Sequence, residues 1–472
     1  MSGRRSRFRL SSGIGVCLAM PAALVASLAL TAPGPASPCP DADSDGYADC
    51  LVPGCTPDGQ LCGDCNDASP LIHPDATEVC NHLADACGGV DEGFPQVTSM
   101  EHVVDGHGAA GDRFGVAAIS LGDVSGDGVP DFAVGNPWDD LGATDGGSVT
   151  LYSGADRAVL CRRPMANAFA HLGTTLAVAG DLNGDGLPDL AAGAPGLDFI
   201  LLISGAGCGE IGRCFDPTGE ANILGGDHGL AAVDDITGDG LPELIAGGTL
   251  TNVPLHHGGK AIVFSPAPDG ACGVLFTLSD PDLTIYANLG FAAAGLEDAS
   301  GDGVADIAVG EPGDDHRAAS AGSVLIFSGA DGSLLARRLD PLGATNNRFG
   351  ESVAVIPDLN GDLVGDLVVG APRRTTSVGT QSGEIIVLSG ADGGVLMRLH
   401  DPDGEGGDQF GAVLAVLPDV DGDRVPDIVV GARYADRPGA NDAGRAIVFS
   451  GADGSRIRTL DDPAGSAGDQ LG

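Results

Sequence analysis

Basic residues are scarce in this chain of 472: 23 Lys and Arg stand against 66 Asp and Glu, a formal charge of −43. Nucleic acid and anionic membrane surfaces both call for a basic face, so neither is an expected partner. No second long apolar run succeeds the N-terminal one, so no transmembrane segment is expected in the mature chain. Nucleophile, base and orienting group never recur together at a distinctive spacing, as nucleophilic catalysis would require, and the chain is predicted not to be an enzyme. A helical composition is missing as well. The 77 Gly and 30 Pro suit many short strands joined by turns, an all-β chain.

What is present begins with an address. Arg4, Arg5, Arg7 and Arg9 precede an apolar run from about Gly13 to Leu30 and a small-residue stretch ending at Ala36. That order predicts a signal peptide over 1–36 and a secreted or cell-surface protein. Eleven cysteines remain beyond it, and seven of them (Cys39, Cys50, Cys55, Cys62, Cys65, Cys80 and Cys87) fall within residues 37–95. Such density belongs to an oxidising compartment, so Cys62 and Cys65 are read as disulfide partners rather than a zinc or redox pair. Connectivity among the seven stays open.

The stretch GDLNGDGLPDLAAGAP, residues 180–195, returns in variant form five more times. The acidic loops start at Asp123, Asp181, Asp235, Asp298, Asp358 and Asp419, which are 58, 54, 63, 60 and 61 residues apart. A fixed period of that kind marks a repeat architecture. In the second copy Asp181, Asn183, Asp185 and Asp189 occupy loop positions 1, 3, 5 and 9, with Gly186 at position 6 for the turn and the Leu187 carbonyl as a fifth oxygen. An all-oxygen set of this type suits Ca²⁺. Position 12 is the apolar Ala192 where an EF-hand carries Glu, so these are not EF-hands. Carboxylates about 4 Å apart repel by roughly 4 kcal/mol at an effective dielectric near 20, so a divalent cation should close each loop. Affinities on the order of 10⁻⁴–10⁻³ M are expected, as in extracellular modules.

Each period divides into four short strands. In the fifth copy these are RFGESVAVIPDL, GDLVVGAP after the acidic loop, SGEIIVLSG and GVLMRLHDP. The SGADG turn recurs at Ser328, Ser389 and Ser450, with variants at Ser153, Ser204 and Ser265. Four strands repeated six times predict a β-propeller over 96–472, whose blades pack about an axis and leave few exposed edges. The array resembles the FG-GAP repeats of the integrin α-subunit propeller. Its FG pairs stand at Phe114-Gly115, Phe349-Gly350 and Phe410-Gly411, and its GAP triplets at Gly193-Ala194-Pro195 and Gly370-Ala371-Pro372.

The resemblance implies calcium ligands at Asp123, Ser125, Asp127 and Asp131 in the first blade, and at Asp181, Asn183, Asp185 and Asp189 in the second. The third offers Asp235, Thr237, Asp239 and Glu243, and the fourth Asp298, Ser300, Asp302 and Asp306. The fifth has Asp358, Asn360, Asp362 and Asp366, and the sixth Asp419, Asp421, Asp423 and Asp427. Two copies depart from the pattern: Glu243 is one methylene longer than Asp, and Leu363 replaces the position 6 glycine. Segment 96–104 aligns with the fourth strand of a blade, and GDQLG at the C-terminal end aligns with the FG that opens one. The array therefore predicts either a six-bladed ring with one redundant strand or, as the preferred reading, a seven-bladed design whose last blade is missing from this sequence.

The segment over 37–95 repeats the loop logic, with Asp41, Asp43, Asp45 and Asp49 at positions 1, 3, 5 and 9 and Gly46 at position 6. The stretch from Cys65 to Glu92 resembles the cysteine-rich metal-binding motif of the MopE copper-binding type through Cys65, Asp67, Pro74, Glu78, Cys80, Cys87, Asp91 and Glu92. Ala84, Ala86 and Gly88 replace its second acidic cluster, and only His73 and His82 offer imidazole. Copper needs softer ligands than these carboxylates. A disulfide-stapled calcium-binding spacer is expected.

Cys208 and Cys214 flank one hairpin and are expected to pair locally, with Cys161 and Cys272 as alternative partners. His256 and His257 are read as part of a variable loop, and Trp138 as a sugar-stacking or blade-packing aromatic. The function expected from all this is a calcium-stabilised module that binds an extracellular protein or glycan. The alternatives are a hydrolase or lyase working in the propeller funnel, since FG-GAP repeats also occur in a glycosylphosphatidylinositol-specific phospholipase D, and a purely structural cell-envelope role.

Overall fold

The structure is a computed structural model that describes residues 111–472, apart from 219–223, 227–228, 250–256, 283–284, 438–439, 462–467, 469 and 471–472. Before residue 111 it describes Val103, Gly106 and four two-residue strands. The chain divides into two compact units, Met1–Glu92 and Gly93–Gly472. In the first, Ser37–Pro38 pairs in parallel with Cys55–Thr56, and Tyr47–Ala48 with Leu61–Cys62. The loop expected at Asp41, Asp43, Asp45 and Asp49 lies outside the described residues. So do the leader, His73, His82, the side chains of the seven clustered cysteines and, save for Val103, the segment 96–104.

In the second unit, six antiparallel sheets of four strands succeed one another along the chain, each in the order first-second-third-fourth. They span residues 118–164, 176–215, 230–278, 293–339, 353–399 and 413–460, and form a six-bladed β-propeller. Six blades are observed among the described residues. Gln470, in the segment that resembles the opening of a further blade, donates its N–H to Asp442 of blade six, as Gln409 does to Gln381 of blade five. Helix is confined, among the described residues, to one 3₁₀ turn at Pro195–Leu197.

The middle strands of each blade are apolar runs because both their faces are covered. Strand Asp366–Ala371 and strand Glu384–Leu388 are buried throughout. Their side chains alternate between two neighbours. Leu367, Val369, Ile386 and Leu388 pack on Ala308, Val324 and Ile326 of blade four, whereas Val368, Ile385 and Val387 pack on Ile428, Val430 and Ile447 of blade six. Every blade also carries a register shift at the end of its third strand, just before the SGADG-type turn, as at Val387/Leu388.

FG and GAP acquire a physical meaning at this level. Phe410 is fully buried, and its N–H reaches Ser382 of the preceding blade. Gly411 adopts φ +88°, donates to Gly431 of its own blade, and sets its carbonyl against Gly370 of blade five. A Cβ on Gly370 would meet that oxygen at 2.1 Å. Neither glycine can be replaced without moving one blade off the next.

The local Cys208–Cys214 pairing does not occur. Cys161 of blade one bonds Cys208 in the hairpin of blade two, and Cys214 of blade two bonds Cys272 of blade three. Cys214 lies four residues beyond Glu210, where the outer strand begins, and Cys208 sits in the turn before it. At about 3.3 Å per extended residue the two are too far apart for the Cα separation of roughly 4.4–6.8 Å that a disulfide spans. Both bridges staple neighbouring blades.

Candidate metal centres

Antiparallel order places the loop between first and second strands beside the turn between third and fourth, so acidic loop and SGADG turn share one face of every blade. In all six loops the position 1 carboxylate accepts the position 6 N–H at 2.7–2.8 Å, from Gly128, Gly186, Gly240, Gly303, Leu363 and Arg424. It also accepts the position 4 N–H, for example Gly301 to Asp298 at 2.6 Å. These N–H donors, the position 6 one foremost, hold the Asp123, Asp235, Asp298 and Asp358 carboxyls below the usual range. The loop therefore curls around an ionised group.

Position 9 behaves oppositely. Asp131, Asp189, Glu243, Asp306, Asp366 and Asp427 are all fully buried at the head of the second strand. Each accepts the position 2 N–H at 2.7–2.9 Å. Five of them also accept the glycine N–H of the SGADG-type turn, as Gly329 to Asp306 at 3.1 Å. Burial raises the Asp189, Glu243, Asp306, Asp366 and Asp427 carboxyls above the usual range. A cation set between positions 1 and 9 would compensate that buried charge.

The departures from the pattern have local explanations. Blade three carries Pro266 where the other turns carry glycine, so the turn has no N–H to give; Glu243 takes the Thr237 hydroxyl at 3.0 Å instead. Carboxylate oxygens of Asp235, Asp239 and Glu243 lie within 4.8 Å of one another, as do those of Asp419, Asp421 and Asp423. The structure thus holds acidic clusters that can take a metal ion. Leu363 keeps the glycine role at φ +72°, with its side chain 88% exposed. Arg424 does the same at φ +72° in loop six, a departure readable in the sequence and not singled out there. Also unanticipated is the turn serine, whose hydroxyl reaches the position 5 carboxylate: Ser389 to Asp362 at 2.9 Å and Ser450 to Asp423 at 3.1 Å.

Of the remaining candidates, Trp138 is half-buried with the Arg113 guanidinium 4.2 Å from its ring centroid and His171 at 5.1 Å. His257 lies 5.4 Å from the Tyr286 ring, and His256 is outside the described residues. The first strands of all six blades line a central cavity of about 260 Å³, bounded by Thr175, Ser352, Val353 and Leu414 among others.

Comparison with known proteins bears on the blades directly. The FG-GAP repeat family matches residues 115–152, 172–207, 349–388 and 410–449. The chain carries FG-GAP repeats. The matches fall on blades one, two, five and six, while blades three and four keep the acidic loop with worn FG and GAP elements. A MopE-type metal-binding motif matches residues 64–92. Integrin alpha-PS2 of Drosophila melanogaster is 36% identical over 117 residues, which cover 22% of this chain and 8% of that one. Integrin alpha pat-2 of Caenorhabditis briggsae is 29% identical over 230 residues, 44% and 18% of the two chains. The phosphatidylinositol-glycan-specific phospholipase D of Bos taurus is 33% identical over 183 residues, 35% and 21%. These FG-GAP matches span about a fifth or less of each relative's length. No helix among the described residues is long and apolar enough to cross a membrane.

Proposed function

We propose that this FG-GAP chain is a secreted or surface-displayed binding module whose six acidic loops hold Ca²⁺ and whose opposite face receives an extracellular ligand. The observation that carries the reading is the recurrence, in all six blades, of one solvent-accessible carboxylate wrapped by backbone N–H groups and one fully buried carboxyl on the same loop. Hard oxygen donors, a backbone turn and partial burial together suit calcium better than a softer ion. The assigned ligands are the position 1, 3, 5 and 9 residues of each loop, with Asp41, Asp43, Asp45 and Asp49 forming a further site in the N-terminal segment.

The face formed by the second-to-third-strand loops and the inter-blade linkers carries exposed Leu141, Phe169, Ile285, Tyr286 and Leu342. Apolar and aromatic side chains there, away from the acidic loops, favour recognition of a partner on that side. The lining residues of the central cavity bring no titratable side chain, which favours binding over catalysis in the funnel. The arginine-led apolar N-terminus supports export.

Thermal unfolding in excess calcium and in EDTA, paired with metal analysis of the purified full chain, tests the reading. Several calciums per chain and a large calcium-dependent rise in melting temperature are expected through ligand linkage. Identical melting in both buffers with no bound calcium would defeat it.

A further inference from the structure

Between blades four and five, on the face away from the acidic loops, linker 341–347 and loop 372–382 line a half-open cavity of about 210 Å³. Two arginines line it, Arg373 and Arg374, together with six hydroxyl or amide side chains that include Thr345, Asn346, Thr380 and Gln381. Among the described residues no carboxylate does, although the chain has 66. Arg374 is 3% exposed; its Nη2 donates to Asp340 and its Nε lies 3.0 Å from Glu384, while Nη1 is buried with no hydrogen-bond partner. Half-buried Arg373 has no ion pair among the described residues, and its Nε is likewise buried without a partner there. Buried guanidinium nitrogens normally find an acceptor, and leaving one unmet costs about 1–3 kcal/mol.

We propose that this cavity binds the carboxylate-bearing residue of an acidic saccharide, a hexuronate unit. The proposal rests on the binding-module reading and gives that reading a ligand class. Guanidinium groups match a carboxylate in both charge and fork geometry. Side chains of Thr, Asn and Gln can each donate and accept, as ring hydroxyls require. Exposed Leu342 offers an apolar contact for the C–H face of the ring. The volume lies below the roughly 300–1,000 Å³ that drug-sized ligands occupy, so one sugar residue is the unit recognised. An extended acidic peptide fits less well, because the cavity is lined by linker and loop residues and presents no free strand edge for a peptide backbone.

The test is calorimetric titration of the full chain in excess calcium with cellobiouronic acid, with cellobiose as its uncharged parent, and with an acetylated tri-glutamate peptide. Saturable binding of the uronate is expected, at least about tenfold tighter than cellobiose, as one charge-assisted contact implies. Arg373→Gln should weaken uronate binding by a similar factor while leaving the melting temperature unchanged, since Arg373 holds no ion pair among the described residues; Gln381→Ala gives a second, fold-neutral probe. No saturable uronate binding, or equal binding by Arg373→Gln, overturns the site. Tighter binding of the peptide with the same Arg373 dependence overturns the saccharide assignment. Binding to arrayed glycans or proteins that survives Arg373→Gln removes this site and leaves the wider reading standing, whereas no binding to any array removes both.

Discussion

Asp340, which closes blade four, holds the guanidinium of Arg374 in blade five, and both side chains are buried. The same relationship recurs around the ring: Asp216 with Lys260 at 2.5 Å, Asp280 with Arg337, and Asp401 with Arg445 at 3.0 Å. In every case the aspartate ends one blade and the cation belongs to the next. Removing Asp340 leaves Arg374 only its contact with Glu384 and orphans the Asn347 amide, so Asp340→Ala should cost about 3 kcal/mol in denaturant unfolding. Arg456→Ala breaks an exposed inter-blade pair with Asp403 and should change stability by less than about 1 kcal/mol. Equal effects of the two substitutions would mean the buried pairs do not join the blades.

The disulfides provide a covalent version of the same junctions, across blades one to two and two to three. They close loops of 47 and 58 residues. Loops of this length correspond to about 4 kcal/mol each on the chain-entropy account. Replacing Cys214 and Cys272 together by Ser should lower the unfolding free energy by about 2–5 kcal/mol. Unfolding with and without reductant checks it: reductant should weaken the parent by more than it weakens a variant lacking both bridges.

These junctions also mark where reading from sequence stopped. FG, acidic loop, GAP and SGADG sit at one period because each serves a contact every blade repeats, so the propeller and the six loops are legible in the sequence. The Asp-Pro pairs at Asp216, Asp280, Asp340 and Asp401 share that period, but their cations do not. Lys260 and Arg445 open third strands, Arg337 lies in a fourth strand and Arg374 in a loop. A pair with one periodic and one wandering partner leaves no pattern in the chain. The cysteines failed for a related reason: their pairing depends on which outer strands lie side by side, a lateral relation that proximity in sequence does not report.

Within each acidic loop, positions 9 and 5 can be separated by experiment. Asp306 accepts N–H groups of Ala299, Ser300 and Gly329, all needed to join loop, strand and turn. Asp306→Ala should destabilise by at least about 2 kcal/mol even in EDTA, because it orphans buried donors. Asp302→Asn retains an oxygen for the Val304 N–H and should cost under about 1 kcal/mol in EDTA while lowering the calcium stoichiometry by one. Unchanged stoichiometry in Asp302→Asn would argue that loop four holds no ion.

Calcium stabilisation should itself depend on pH, and the two carboxyl classes decide its sign. A raised position 9 carboxyl contributes stability that is present below the ordinary carboxylate range and lost as pH rises through its folded value. A lowered position 1 carboxyl contributes stability above that range and loses it as pH falls through its folded value. A cation needs both ionised, so protons compete with it at position 9. The melting-temperature difference between calcium and EDTA should therefore grow from about pH 4.5 to about pH 7; a constant difference across that window would contradict cation binding at position 9.

Glu311 supplies a pH dependence that the loops do not share. It is fully buried in blade four, where burial first, then the neighbouring Asp280 and Asp314 carboxylates, push its carboxyl up to about 8, against the opposing pull of Arg337. Its Oε2 accepts from Ser323 at 3.1 Å and from Arg337 at 2.9 Å, and its Oε1 is buried without a partner. With a folded value above the unfolded one, Glu311 contributes stability that is complete below its unfolded value of 4.5 and lost as pH rises, with the loss ending above about 8. Glutamine mimics the protonated acid and removes that slope. Relative to Glu311→Gln, the parent should lose up to about 1.4 kcal/mol per pH unit between about pH 5 and 8, then level off. Denaturant unfolding of both proteins at constant excess calcium measures the difference, in which the shared contribution of the loops cancels. Parallel stability curves would mean that Glu311 is already ionised at neutral pH, with Arg337 able to satisfy three carboxylates at once.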